Sequence, residues 1–323
     1  MILPFVIGAV GSLGSLLTSC STTIAGIGAA VATLGPKLAT VSKTLLSIQT
    51  SLAGITSALK EIGPIVSETF FGRKINTQAT SLFSRFIAPL SGPLGIIFGP
   101  MITQLMVFAV SKVVNKVAEK FGIIEKGEKQ EHVGYRLEEA GKHANDWQQR
   151  ETFESFKNYY KYLKEKIPEV DETKIKGNEA AYQWLGTMAV YEGIQEELGI
   201  KLPEDFLMEV GRSKMEPEEY LAFADVSGKY GWEAVQGYLK NTLPVKELDK
   251  IGGALLSALE QHCLGKSSED LKIRLSHICA ASNNDKVLAA KIYHEDLLKE
   301  YPEAIKEAEE NKALPEWWQN KGV

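Results

Sequence analysis

The sequence predicts an all-α protein, built from a long N-terminal heptad coiled-coil helix, an apolar helical hairpin and a helical-bundle domain. Large apolar residues recur at alternating steps of three and four residues from Leu3 to Ile62, as in a coiled-coil seam. An uncharged apolar stretch, broken by Pro and Gly, occupies residues 86–111, and residues 125–323 show almost no alternation of period two. The predicted domains are therefore residues 1–63, 64–124 and 125–323.

The N-terminal repeat is apolar at each of its 18 seam positions. A strict spacing of 3.5 residues predicts a left-handed supercoil with partner helices, about 90 Å long if fully helical. Gly35-Pro36 predicts a kink in this helix, and a tight turn that forms an antiparallel helical hairpin is the alternative. We expect the oligomer contact to be formed by the seam residues Leu3, Val6, Val10, Leu13, Leu17, Cys20, Ile24, Ile27, Val31, Leu34, Leu38, Val41, Leu45, Ile48, Leu52, Ile55, Leu59 and Ile62.

The back of the N-terminal helix carries almost no charge. No Asp, Glu, Lys or Arg precedes Lys37, and glycines such as Gly8, Gly11 and Gly14, which destabilise an isolated helix, interrupt the pattern. This face therefore requires a cover, by lipid, by more helices or by the wall of an enclosing assembly. The alternative is a hydrophobic helix buried in the core of a larger globular bundle.

The N-terminus resembles a targeting segment only in part. The stretch Leu17–Cys20 is similar to a lipobox, but no positive charge precedes it and the apolar repeat continues past Cys20. We therefore expect neither a cleaved signal peptide nor lipoprotein processing. The odd, widely spaced set of Cys20, Cys263 and Cys279 predicts folding in a reducing cytoplasm, after which the protein acts within a particle or at a membrane.

The second apolar segment is long enough to cross a bilayer, but Pro89, Pro93 and Pro100 interrupt its first half. We predict a hairpin with a Pro/Gly apex, with residues 76–88 as one arm and residues 101–121 as the other. Three lysines at i, i+4 and i+8 then predict an amphipathic end at a membrane surface, or alternatively a solvated helix end on a soluble bundle. The candidate membrane-contact residues are Phe86, Ile87, Leu90, Leu94, Ile96, Ile97, Phe98, Met101, Ile102, Lys112, Lys116 and Lys120.

Charge separates the first part of the chain from the rest. Residues 1–124 carry nine basic and three acidic side chains, whereas residues 125–323 carry 27 basic and 38 acidic ones. Such a change of composition predicts a domain boundary near residues 122–127 and an acidic soluble helical domain after it. Pro and Gly divide that domain into the predicted helical units 127–166, 175–198, 203–211, 217–226, 232–240, 244–264, 268–281, 285–301 and 302–312.

The chain lacks the sequence motifs of common catalytic sites. It contains no Walker loop, no Rossmann glycine fingerprint, no His-Glu-x-x-His and no Gly-x-Ser-x-Gly. The spacing of His262, Cys263, His277, Cys279 and His294 matches no common zinc pattern. We therefore predict a protein that is not an enzyme and has no cofactor or metal. The basic and aromatic stretch 156–166 lies in an acidic domain, so nucleic acid is not expected as a specific ligand.

The stretches "LATVSKTLLSIQTSLAGITSALKEIG" and "FIAPLSGPLGIIFGPMITQLMVFAVS" resemble, in texture, the tape-measure and ejection proteins of phage tails and related contractile injection particles. That resemblance implies a non-enzymatic virion component, a self-associating coiled coil inside an enclosing tube or partner chains, and hydrophobic segments that meet a target membrane. We favour this interpretation because the seam is very regular and its length suits parallel self-association.

The same stretches also resemble helical pore-forming toxins. These hide an apolar hairpin in a soluble bundle and release it at a membrane, so residues 86–111 are implied as the hairpin and the 3–62 seam as its packing partner. Both resemblances imply a homo-oligomer, whose strand number the seam leaves open, and contact with a membrane. A third interpretation is a soluble structural or adaptor protein whose N-terminus is buried by partner chains.

Overall fold

The computed structural model describes residues 43–48, 50, 53–59, 61, 85, 93–283, 286–310 and 314–319. Across these ranges every regular element is a helix, which confirms the predicted all-α class. Most of the predicted coiled coil, including the Gly35-Pro36 kink, lies outside the described residues. Residues 43–48 and 53–59, which belong to it, are helical.

The helices follow one another with short connections. Before the 3₁₀ turn Arg150–Thr152 come α1 (Pro93–Phe121) and α2 (Gln130–Lys142). The elements that follow are α3 (Phe156–Lys166), α4 (Glu172–Ile175), α5 (Glu179–Leu198), α6 (Glu204–Arg212), α7 (Pro217–Tyr230), α8 (Trp232–Leu239), α9 (Val245–His262), α10 (Ser268–Ser282), α11 (Lys286–Ile292), α12 (His294–Glu300), α13 (Pro302–Glu310) and α14 (Glu316–Gln319).

Local signals place several of these helix starts where the sequence predicts them. Pro217 is the first residue of α7, and Glu216 and Glu219 form a capping box there. The Ser267 hydroxyl accepts a hydrogen bond of 3.1 Å from the backbone N–H of Asp270 at the start of α10. These helices therefore begin where side chains satisfy the free N–H groups of the first turn.

Two predicted units are each divided in the structure. The unit 127–166 consists of α2 and α3, and the unit 285–301 consists of α11 and α12. Between α2 and α3 the Gln149 amide donates to the carbonyls of Ala144, at 2.6 Å, and Trp147, at 3.0 Å. Side-chain hydrogen bonds of this kind compete with the helical backbone pattern and stabilise the turn instead.

Contacts divide the chain into two compact units. Of the described helices, the first unit holds α1 as far as Met106 together with α11–α14, and the second holds α1 from Val107 together with α2–α10. The divisions by contact thus fall within α1 and between α10 and α11, not at residues 122–127 where the composition changes.

The core of the second unit contains a close crossing of α2 and α5. A Cβ on Gly134 would lie 2.1 Å from the carbonyl oxygen of Tyr182, and a Cβ on Gly186 would lie 2.0 Å from that of Gln130. Both distances are far shorter than any van der Waals contact, so only glycine permits this approach. Beside the crossing, the buried Thr187 hydroxyl lies 3.0 Å from Ser111 Oγ, which joins α5 to α1.

A buried ion pair fixes α10 against the start of α7. The Arg274 guanidinium binds the Glu219 carboxylate through two contacts of 2.8 Å, and it also donates to the carbonyls of Ser213 and Lys214. Both the carboxylate and the loop carbonyls are thereby satisfied, as a buried charge requires.

Candidate membrane-active segment

The described residues contain one helix that is long and apolar enough to cross a bilayer, residues Phe98–Phe121 of α1. Its length and composition meet this criterion, and 67% of its apolar 18-residue stretch is buried within the protein. The core helix of a soluble protein meets the same criterion.

The helix begins at Pro93, eight residues before the start that the sequence predicts, and Pro100 lies inside it. Pro93 suits a first turn because its missing N–H would have no helical acceptor. Near Pro100, the Thr103 hydroxyl donates to the Gly99 carbonyl at 2.7 Å, and the helix continues through the proline. The predicted break at Pro100 is therefore wrong. The other predicted arm, residues 76–88, lies outside the described residues apart from Arg85.

Among the candidate residues whose side chains the structure describes, the apolar side chains are buried and the lysines are exposed. The side chains of Phe98, Met101 and Ile102 are buried, with at most 2% of their surface exposed. The three lysines of the i, i+4, i+8 stripe are all exposed. Among the other candidates, Phe86, Ile87 and Leu90 lie outside the described residues, whereas Leu94, Ile96 and Ile97 fall in the first turns of α1.

In the first unit, helices α11–α14 are here called the C-terminal cover, and two side chains of this region contact the first half of α1. The Phe98 ring stacks on the Trp318 ring at a centroid distance of 5.5 Å. The Tyr301 hydroxyl donates to Gln104 Oε1 at 3.0 Å. Burial raises the pKa of Tyr301 to about 12, so this hydroxyl keeps its proton throughout the physiological range.

Trp318 is held in place by the cover itself. The His294 ring lies edge-on to it at 4.0 Å, and the indole N–H donates to Glu309 Oε1 at 3.2 Å. With its polar atom satisfied, the ring is 2% exposed. The sequence reasoning missed this contact. The available signal was the pair Trp317-Trp318 in a polar stretch, which local pattern cannot assign to a partner.

In the second unit, the end of α1 is fixed by polar contacts. Lys157 Nζ donates to the Phe121 carbonyl at 2.9 Å, which satisfies an acceptor at the helix C-terminus. The Glu119 carboxylate accepts from the Gly127 N–H at 2.9 Å and pairs with Lys116 at 3.0 Å. The apolar side of this end is buried and consists of Val110, Val113, Val114 and Val117.

Four seam residues lie in the described part of the chain. Leu45, Ile48 and Leu59 are buried and Ile55 is partly exposed, whereas the neighbouring off-seam Leu46 is 47% exposed. Three of the four described seam positions thus point away from solvent within a single chain. The other seam residues lie outside the described residues, so the oligomer contact stays a prediction.

The histidines and cysteines contact separate partners. His262 lies 2.6 Å from Asp225, and His277 lies 3.3 Å from Arg274. Cys263 and Cys279 are free thiols. Within the part of the chain that the structure describes, no three His, Cys, Asp or Glu side chains are grouped so that they could hold a metal ion.

Comparison of the chain with protein-family models, with curated proteins and with solved structures finds no match.

Proposed function

We propose that this chain is a non-enzymatic, membrane-active helical protein that carries α1 in a sheltered form and releases it at a membrane. The observation that carries the proposal is the packing of the one candidate span in the described residues: its apolar face is buried, and its Phe98 stacks on Trp318 of the C-terminal cover. This mode of action is that of the helical pore-forming toxins that the sequence resembles.

The length of the uncharged part of α1 fits a bilayer. Residues 93–111 contain no charged side chain, and Lys112 follows directly. At 1.5 Å per residue this part is about 28 Å long, close to the hydrocarbon thickness of about 30 Å. Lys112, Lys116 and Lys120 would then lie at the level of the lipid headgroups, where long basic side chains are favourable.

The energetics of release also support the proposal. Fully burying a side chain such as Phe98 or Met101 stabilises the folded form by about 1.5–3 kcal/mol. Lipid tails offer these side chains an equally apolar environment, so insertion conserves most of that free energy. Release still costs specific contacts, such as the Trp318 stack and the Tyr301–Gln104 hydrogen bond, and it exposes the apolar side chains that pack against α1.

A dye-release assay tests the proposal directly. Purified full-length protein is added to dye-loaded liposomes without other components. We expect release of the dye that rises with protein concentration. Intact liposomes over a range of lipid compositions and pH values would contradict membrane activity and favour a purely structural or adaptor role.

The regular seam favours a second candidate, a tape-measure or ejection component of an injection particle. Its support is the unbroken repeat over residues 3–62, of whose four described positions three are buried. If this candidate is correct, deletion of whole heptads shortens the particle's tube in proportion. A tube of unchanged length would contradict a role in setting the length of the tube.

A further inference from the structure

The second-unit part of α1 has a continuous exposed face. Phe108, Lys112, Lys116 and Lys120 are spaced by four residues, and all four are exposed. At about 100° per residue they occupy one side of the helix over a length of about 18 Å. The valines that follow the opposite side are buried. This exposed face, Phe108 with the three lysines, is here called the lysine face.

The lysine face combines an aromatic ring with a net positive charge. Phe108 is 41% exposed and is the one aromatic among the six large apolar side chains that are exposed in the described residues. Glu119 is the one acidic residue of α1, and it pairs with Lys116. Lys112 and Lys120 have no ion-pair partner among the described residues. In a chain of net charge −5, this face is therefore locally positive.

We propose that the lysine face docks on membranes that contain anionic phospholipids. Lysine ammonium groups are attracted to the negative surface of such a membrane, and an aromatic side chain beside them can enter the headgroup boundary. Charge complementarity and the exposed Phe108 together fit this partner better than nucleic acid, because α1 offers no arginine and the face has a single aromatic ring. The proposal deepens the proposed function and rests on it, since docking would bring α1 to the bilayer before release.

Vesicle co-sedimentation of the full-length protein tests the docking. One set of vesicles contains phosphatidylcholine alone, and the other also contains phosphatidylglycerol. We expect binding to the second set that weakens as salt is raised, because salt screens surface charge. The triple variant Lys112→Gln, Lys116→Gln, Lys120→Gln should bind on the order of 100-fold more weakly, at about a factor of five for each lysine.

A matched variant controls for total charge. Lys201, Lys246 and Lys272 are also exposed and lie outside α1, so their triple change to Gln removes the same charge elsewhere. We expect this control to bind as the unchanged protein does. A third variant, Phe108→Ser, should weaken binding while leaving its salt dependence intact. Circular dichroism melting of each variant verifies that the fold is retained.

Three results would overturn the proposal: equal binding to both kinds of vesicle, equal loss in the two triple variants, or full displacement by dilute inorganic phosphate. The last would indicate a free phosphate as the ligand. Binding that depends on the lysine face without dye release would support the docking and contradict the proposed membrane-releasing function. Dye release that is independent of phosphatidylglycerol and of these lysines would support the proposed membrane-releasing function and contradict the docking.

Discussion

Two glycines, Gly134 and Gly186, hold α2 and α5 in backbone contact. Because a Cβ on Gly134 would lie 2.1 Å from the Tyr182 carbonyl oxygen, Gly134→Ala forces the helices apart. We expect a loss of about 3 kcal/mol in the free energy of unfolding, measured by urea denaturation. Gly253→Ala is the control, since nothing lies within 4 Å of its Cβ position in α9, and it should stabilise by about 1 kcal/mol.

Equal stabilities for the two alanine variants would show that the crossing relaxes without cost. The comparison is well matched because both glycines lie inside helices, so both substitutions bring the same gain in helix propensity. The difference between them therefore measures the packing of α2 on α5.

Glu209 is a buried carboxyl group that is incompletely satisfied. Its residue is 1% exposed, Oε1 lies 3.1 Å from Arg212, and Oε2 has no hydrogen-bond partner among the described residues. Burial raises the pKa of Glu209 above its ordinary value of 4.5, although Arg212 opposes the shift. The folded form thus holds its proton more tightly than the unfolded chain does.

The direction of this pKa shift determines how the stability of the protein depends on pH. The free energy of unfolding should fall as the pH rises from about 4.5 through the raised pKa, and stay low above it. Glu209→Gln removes the buried charge, so we expect a higher free energy of unfolding at pH 7 and a flatter pH profile. Exposed Glu233→Gln serves as control. A Glu209→Gln variant less stable than the unchanged protein at pH 7 would contradict this account.

The C-terminal cover depends on one aromatic contact. Trp318→Ala removes the ring that stacks on Phe98 and leaves a cavity beside it. Large-to-small changes of this kind cost about 3–5 kcal/mol. We expect the variant to bind a hydrophobic dye more strongly. If the proposed function holds, it should also release the dye enclosed in liposomes faster than the unchanged protein does.

Trp317→Ala is the control for this change, because the Trp317 ring contacts Trp318 and Lys291 rather than Phe98. Its effect on dye binding should be clearly smaller. Equal effects of the two variants would indicate that the contact with Phe98 does not close the cover.

The helices of the acidic region were predictable where local chemistry defines their ends. Predicted units at 217–226, 232–240, 244–264 and 268–281 correspond to α7, α8, α9 and α10 within a few residues. Their proline, glycine and serine caps act over one turn and can be read without a partner. The start of α1 was not predictable in this way, because its prolines predict a break whereas the helix runs from Pro93 through Pro100.

In the candidate membrane-active segment, too, some features could be predicted from the sequence and others could not. The exposure of Lys112, Lys116 and Lys120 follows from the helical period, and the sequence indicates it. The contact with the C-terminal cover could not be predicted from the helical period, because the stack of Phe98 on Trp318 joins residues far apart in the chain. A contact between such distant residues depends on the whole fold and leaves no local pattern.

The molecule as a whole carries a hydrophobic N-terminal region and an acidic remainder, which predicts that its assembly depends on its surroundings. If α1 is sheltered in buffer and released in an apolar medium, the mass should increase when detergent micelles are added. Light scattering with and without detergent measures this against the chain mass of 35.5 kDa. We expect a multiple of this mass in detergent, after subtraction of bound detergent. A single chain in both conditions would contradict the predicted self-association.

The paired glycines also have an evolutionary consequence. A larger side chain at either position would separate α2 from α5, so neither position can vary independently of the crossing. Surface residues can be replaced freely over generations, whereas these two must stay small for the fold to persist. Relatives that keep this crossing should therefore carry glycine at the positions of Gly134 and Gly186.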